Sequence, residues 1–193
     1  MGGCKKQESA QSSPPPAQSP PAAEATTPAP VETPRESDYD ACTLIAKEEV
    51  EAVQGSPVID TVRSARAAEG LILGQCYYSV KESNKSVSLT VTLTDSSSPG
   101  KQSARDVWKQ TAPRYDGEEE KDLTSPQRKK KPKLPTKIDG LGEEAYWAAS
   151  GVGGAMYVLK NDGFFRLSIG GAESAEARLE KSKSLAEKAA GRF

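Results

Sequence analysis

The chain has no histidine. That removes Ser-His and Cys-His nucleophile pairs, histidine proton shuttles and most zinc and haem sites. Its three cysteines, Cys4, Cys42 and Cys76, are far apart and form no C-x-x-C pair, so no metal, iron–sulfur cluster or other cofactor is implied. No apolar run approaches the roughly 18 residues needed to cross a bilayer, so any membrane attachment must come through a lipid or a partner. A strong field of one sign is missing too. The 26 basic and 27 acidic residues nearly cancel, which argues against nucleic acid as a partner. Hydrophobic residues make up 35% of the 193, below the usual globular share, so part of the chain is expected not to fold.

What is present begins with MGGCKKQESAQSSPPPAQSPPAA. Residues 5–40 are Pro, Ala, Ser, Thr, Gln and Glu with almost no large apolar side chains, a composition that cannot bury enough surface to offset the entropy of ordering. Residues 1–40 therefore read as an anchor cysteine followed by a Pro-rich tether. Three fates compete for Cys4. Met1-Gly2-Gly3-Cys4 matches the end of a bacterial lipobox, with Met where Leu is usual, and then a signal peptide is expected upstream and a lipid on Cys4. Myristoylation of Gly2 with palmitate on Cys4 prefers Ser or Thr at position 6, where Lys6 stands. An unmodified thiol is the third. The spacer favours the lipobox, because an anchored domain needs a way to stand off the bilayer.

Residues 41–193 read as one α+β domain. TLIAKEEVEAVQGSP predicts a short helix with Leu44, Ile45, Val50 and Val53 on one face, Glu48 and Glu49 in its first turn and Gly55 at its end. LILGQCYYSVK and SVSLTVTL predict a hairpin turned at Ser83-Asn84-Lys85; in the second strand Val87, Leu89, Val91 and Leu93 face one way, Ser88, Thr90 and Thr92 the other. A second helix follows Pro99-Gly100, with Val107 and Trp108 as core contacts. Residues 113–137, carrying EEEKD and RKKKPK, read as an exposed charged loop. Three strands come next, with Leu141, Ala145 and Trp147 inward in the first and a tight turn at Asn161-Asp162-Gly163 between the others. A closing amphipathic helix carries Ala175, Leu179, Ala186 and Ala189 as its stripe, with Leu185 at the border. The expected order is helix-strand-strand-helix-strand-strand-strand-helix, an antiparallel sheet of about five strands with helices packed on it. The helix–strand–strand unit occurs twice, which suggests a duplication without residue-level similarity.

Three cysteines leave one with a separate fate and two to pair. Cys42 lies before the first helix and Cys76 within the first strand, so a disulfide would staple the helix end to the sheet. Two separate buried thiols are the alternative, and an extracytoplasmic location would decide for the bond.

The run Cys42-Thr43-Leu44-Ile45, then Lys47-Glu48-Glu49-Val50, Gly55, Cys76 and Tyr78, resembles a group of bacterial envelope lipoproteins of unknown function. Gly140-Leu141-Gly142-Glu143-Glu144-Ala145-Tyr146-Trp147 is similar to a later segment of that group. The resemblance implies an α+β sandwich on a lipid anchor with a cysteine pair, and no catalytic residues. Ala46 departs from it, because the group has a capping Thr or Ser there.

Candidate chemistry is sparse. Gly151-Val152-Gly153-Gly154 has strands on both sides rather than the strand-then-helix setting of a phosphate loop. Arg128, Lys129, Lys130, Lys131 and Lys133 form a possible anion contact for lipid or polymer, but no aromatics interleave them. Glu143 and Glu144, as neighbours on a strand, would point to opposite faces. The adjacent aromatics Tyr77/Tyr78 and Phe164/Phe165 imply either two covered faces or a partner surface. These features favour a non-catalytic domain that binds an unknown protein or small ligand, lipid-anchored in a bacterial cell envelope. A histidine-free hydrolase with a Ser–Lys or carboxylate pair is the alternative, as is a basic-loop module.

Overall fold

The computed structural model describes residues 34–98, 102–111, 135–151 and 153–193. Cys4, the tether and the basic residues Arg128, Lys129, Lys130, Lys131 and Lys133 lie outside the described residues.

Eight strands form one antiparallel sheet: β1 (Arg35–Glu36), β2 (Val58–Ala68), β3 (Leu71–Val80), β4 (Val87–Thr94), β5 (Thr136–Lys137), β6 (Glu144–Ala149), β7 (Gly153–Lys160) and β8 (Gly163–Gly170). Their order is β1-β2-β3-β4-β8-β7-β6-β5, two four-stranded meanders joined where β4 pairs with β8. The architecture is α+β and antiparallel as expected, but the count of about five strands is corrected to eight. The three unexpected strands have physical reasons to be hidden. β1 and β5 are only two residues long and exposed. β2 carries polar side chains to both faces, because most of it overhangs the core and only Val58 and Ala67 are buried. Arg35 and Glu36 pair with Ala67 and Arg66, so the sheet begins upstream of residue 41.

The sheet's alternation sorts its side chains into two faces. One face carries the main core, built from rows that cross the strands in register. Cys76, Leu89, Leu167, Met156 and Trp147 form one row; Val91, Phe165, Val158 and Ala145 form the next. Over it lie a 3-10 helix (Ala41–Leu44), α1 (Lys47–Gln54) and α3 (Ala175–Arg192). Leu185, expected at the border of α3, is fully buried at the centre of its stripe with Ala186, Ala189 and Ala190, while Ala175 and Leu179 are only partly covered. Tyr78 is buried in this layer and donates its hydroxyl to the Ile45 carbonyl at 2.5 Å. Burial first, then the charges of Asp40 and Glu49, pushes that phenol up to about 12, so it stays a donor.

Three devices consolidate the core side of the sheet. Cys42 and Cys76 form a disulfide that ties the 3-10 helix to β3. The indole of Trp147 occupies the space above Gly154, where an added Cβ would come within 2.0 Å of the ring. Glu49 binds the two helices together. Its carboxylate accepts from Ala46 N–H at 2.8 Å, and alanine returns no side-chain bond, so half of a capping box survives. The same carboxylate takes both terminal nitrogens of Arg192, at 2.6 and 2.7 Å.

Arg192 foremost holds the Glu49 carboxyl down at about 2, against an ordinary 4.5. A depressed carboxyl stabilises the fold fully above its unfolded pKa and loses that contribution as pH falls toward its folded one. Screened by solvent, the contribution is about 1–2 kcal/mol. Unfolding measured from pH 6 to pH 2 should therefore show stability declining below about pH 4.5, and Glu49→Gln should flatten that decline by the same amount. An unchanged slope in the variant would rule out the role of the pair.

Candidate functional site

Among the described residues, the opposite face of the sheet is covered at one end only. There α2 (Ala104–Thr111) lays Trp108 against Phe164 at 5.5 Å and Tyr146 at 6.0 Å between ring centroids, over Leu71 and Leu159. Trp108 donates its indole N–H to Glu144 at 2.9 Å, and Arg105 pairs with Glu143 at 2.8 Å. The two glutamates thus both reach α2. Glu143 precedes β6 and does not alternate with Glu144 as residues within a strand do.

Beyond α2 no described residue covers the face, and here the register creates a hollow. Ser88, Ser168, Ala155 and Ala148 stand side by side across β4, β8, β7 and β6. Four small side chains in one row make a floor lower than its surroundings. Arg166 and Tyr157, cross-strand partners in the next row, rise along one side. The Ser83–Ser86 turn and the Ser150 loop rise along the other, tied to the sheet by Gly170 N–H to the Ser86 carbonyl at 3.2 Å and Ser150 N–H to the Gly153 carbonyl at 2.8 Å. Tyr77 closes the β3 end. The result is a trough of about 500 Å³.

Its polar groups are specific. Arg166 donates from Nε to the Tyr157 hydroxyl at 3.2 Å and lies over that ring, 5.7 Å from its centroid, a cation–π contact. Among the described residues it is the one charged side chain lining the trough, and no carboxylate pairs with it. Ser168 Oγ is buried without a hydrogen-bond partner, and Ser88 accepts from Gln75 at 3.4 Å.

The four aromatics singled out by sequence do not form one surface. Tyr78 and Phe165 are in the main core, and Phe164 lies beneath α2. Tyr77 alone is open, 39% exposed at the end of the trough. Tyr157, which as a strand aromatic is expected in the core, lines the trough instead; Arg166 and Ser168 belong to no motif, although alternation in GFFRLSIGG sets them opposite the apolar Phe165, Leu167 and Ile169. Among the described residues no group of His, Cys, Asp and Glu gathers to hold a metal, and no helix is long and apolar enough to cross a membrane.

Every described carboxyl whose pKa departs clearly from its ordinary value is lowered, by an ion-pair or hydrogen-bond partner: Glu49, Glu82, Asp95, Asp106, Glu143 and Glu173. Such groups are fixed anions, unlike the raised carboxyl of a general acid.

Compared with protein-family models, curated proteins and solved structures, the chain matches none of them. The site's chemistry therefore rests on its own geometry.

Proposed function

We propose that this is a lipid-anchored protein of a bacterial cell envelope whose domain binds a small ligand, without catalysis, in the trough of its open sheet face. The trough carries the binding half of this reading. A concave floor of small residues rimmed by two tyrosines, an arginine and several hydroxyls is the make-up of a ligand site, a largely apolar or neutral hollow with a few placed polar groups. The lipobox-like Cys4 and its Pro-rich tether carry the anchoring half, and the Cys42–Cys76 disulfide suits an oxidising, extracytoplasmic compartment.

Two measurements test the halves separately. Mass analysis of the N-terminal peptide from native membranes should find a diacylglyceryl group on Cys4; a peptide beginning at Met1 or Gly2 with a free thiol would sink the anchor. An NMR screen of a chemically diverse fragment library against the whole chain should gather its binders on Tyr77, Tyr157 and Ser168. Binders gathered on another surface would remove the trough from the reading.

A further inference from the structure

We infer that the trough's ligand is a small anionic polyol, a sugar or sugar-like molecule carrying one carboxylate or phosphate. The inference rests on the reading of the trough as a binding site and names what fits it. Charge decides the first part. Among the described residues the trough is lined by one cation and no acid. Arg166 spends only Nε, on Tyr157, so its two terminal nitrogens remain free among the described residues to take two oxygens of one anion side by side. Tyr157 holds the guanidinium in place from two directions, through its hydroxyl and its ring, which removes much of the rotamer freedom a lone surface arginine would lose on binding.

The floor decides the second part. Ser168 Oγ is a buried hydroxyl with no partner, and it stands two residues along β8 from Arg166 on the same face. A buried polar group left unmatched is costly, and a turn of χ1 would carry the Ser168 hydroxyl into the trough, where a ligand hydroxyl is favoured over an apolar group. Beside it, Ser88 receives a bond from Gln75 and keeps its own proton to donate. Hydroxyls along the floor with an anion at the rim match a molecule that carries both, and the tyrosine rings at the side and end offer flat apolar faces to a sugar ring. A single cation also disfavours a polyanionic strand, which needs a phosphate contact at each step.

The experiment titrates the full chain with glucuronate, glucose 6-phosphate, glucose and acetate, read by calorimetry and by NMR shifts at Tyr157 and Ser168. At least one of the two sugar acids should bind about tenfold or more tighter than glucose and acetate, and which one binds separates a carboxylate from a phosphate. Arg166→Gln, on the exposed face, should bring that sugar acid down to the level of glucose without moving the melting temperature. Ser88→Leu, which fills the floor, should abolish binding. Equal binding of glucose and the acids, an unchanged preference in Arg166→Gln, or no binding by any probe overturns the ligand class. Library fragments still gathered at the trough would then leave the binding reading standing. Sugar-acid binding that survives Ser88→Leu would overturn both.

Discussion

Replacing Cys42 and Cys76 together with alanine should lower the domain's stability by about 3–4 kcal/mol, roughly 10 °C in melting temperature. The bond closes a loop with a sequence separation of 34, and cross-linking a loop of that size removes about that much entropy from the unfolded chain. What lies inside the loop makes the effect local as well as global. It holds α1 and the overhanging β2, whose side chains are exposed from Ile59 to Ser64 and which contribute little burial of their own. Opening the bond leaves the 3-10 helix to be held by the burial of Ala41, Leu44 and Ile45, by the Tyr78 hydroxyl and by Arg192, which donates to the Leu44 carbonyl at 2.9 Å. Denaturant unfolding with and without reductant is the direct check, since reduction should reproduce the double alanine variant. A loss below about 1 kcal/mol would show that packing and these hydrogen bonds position the helix without the disulfide.

The parts of this fold that were legible in the sequence are those whose two faces differ. β4 alternates Val87, Leu89 and Val91 with Ser88 and Thr90, so its direction, burial and hairpin to β3 could be read directly. The Asn161 turn between β7 and β8 was legible for a different reason, a left-handed residue at a tight reversal. β2 was not legible, because a strand that overhangs the core carries no burial pattern. Ile59 and Val62 are 68% and 52% exposed, and polar residues stand beside them. One signal existed. Glu69-Gly70 between β2 and β3 takes positive φ at both positions, 55° and 83°, as a two-residue hairpin requires, and a Gly-containing pair before LILGQ could have marked it. The trough was hidden at a higher level. Ser88, Ser168, Ala155 and Ala148 are far apart in sequence, and only the registers of three strand pairs set them in a row.

The second large effect should come from Arg178, a charged side chain only 5% exposed within α3. Its guanidinium donates to the carbonyls of Gly171 and Ser150, each at 3.2 Å, and to that of Glu173. The nearby Glu173 carboxylate is occupied by Lys181 at 2.6 Å, so carbonyl dipoles rather than an ion pair hold the charge in place. Arg178→Met keeps most of the volume and removes every one of these bonds. Three carbonyls then lose a donor in a buried setting, and the expected loss is about 3–5 kcal/mol by chemical denaturation. The consequence extends past stability. Ser150 and Gly170, beside Gly171, are walls of the trough, so the arginine that buries itself behind the sheet also fixes the edge of the hollow in front of it. Arg178→Met should therefore weaken binding of trough ligands even where the variant remains folded, with NMR shifts confined to the Ser150 and Gly171 segments. Arg178→Lys, which keeps the charge but cannot reach three carbonyls with one planar group, should fall between the two. A methionine variant as stable as the parent would mean that water satisfies those carbonyls, and the wall would then owe its position to the Ser150–Gly153 and Gly170–Ser86 backbone bonds.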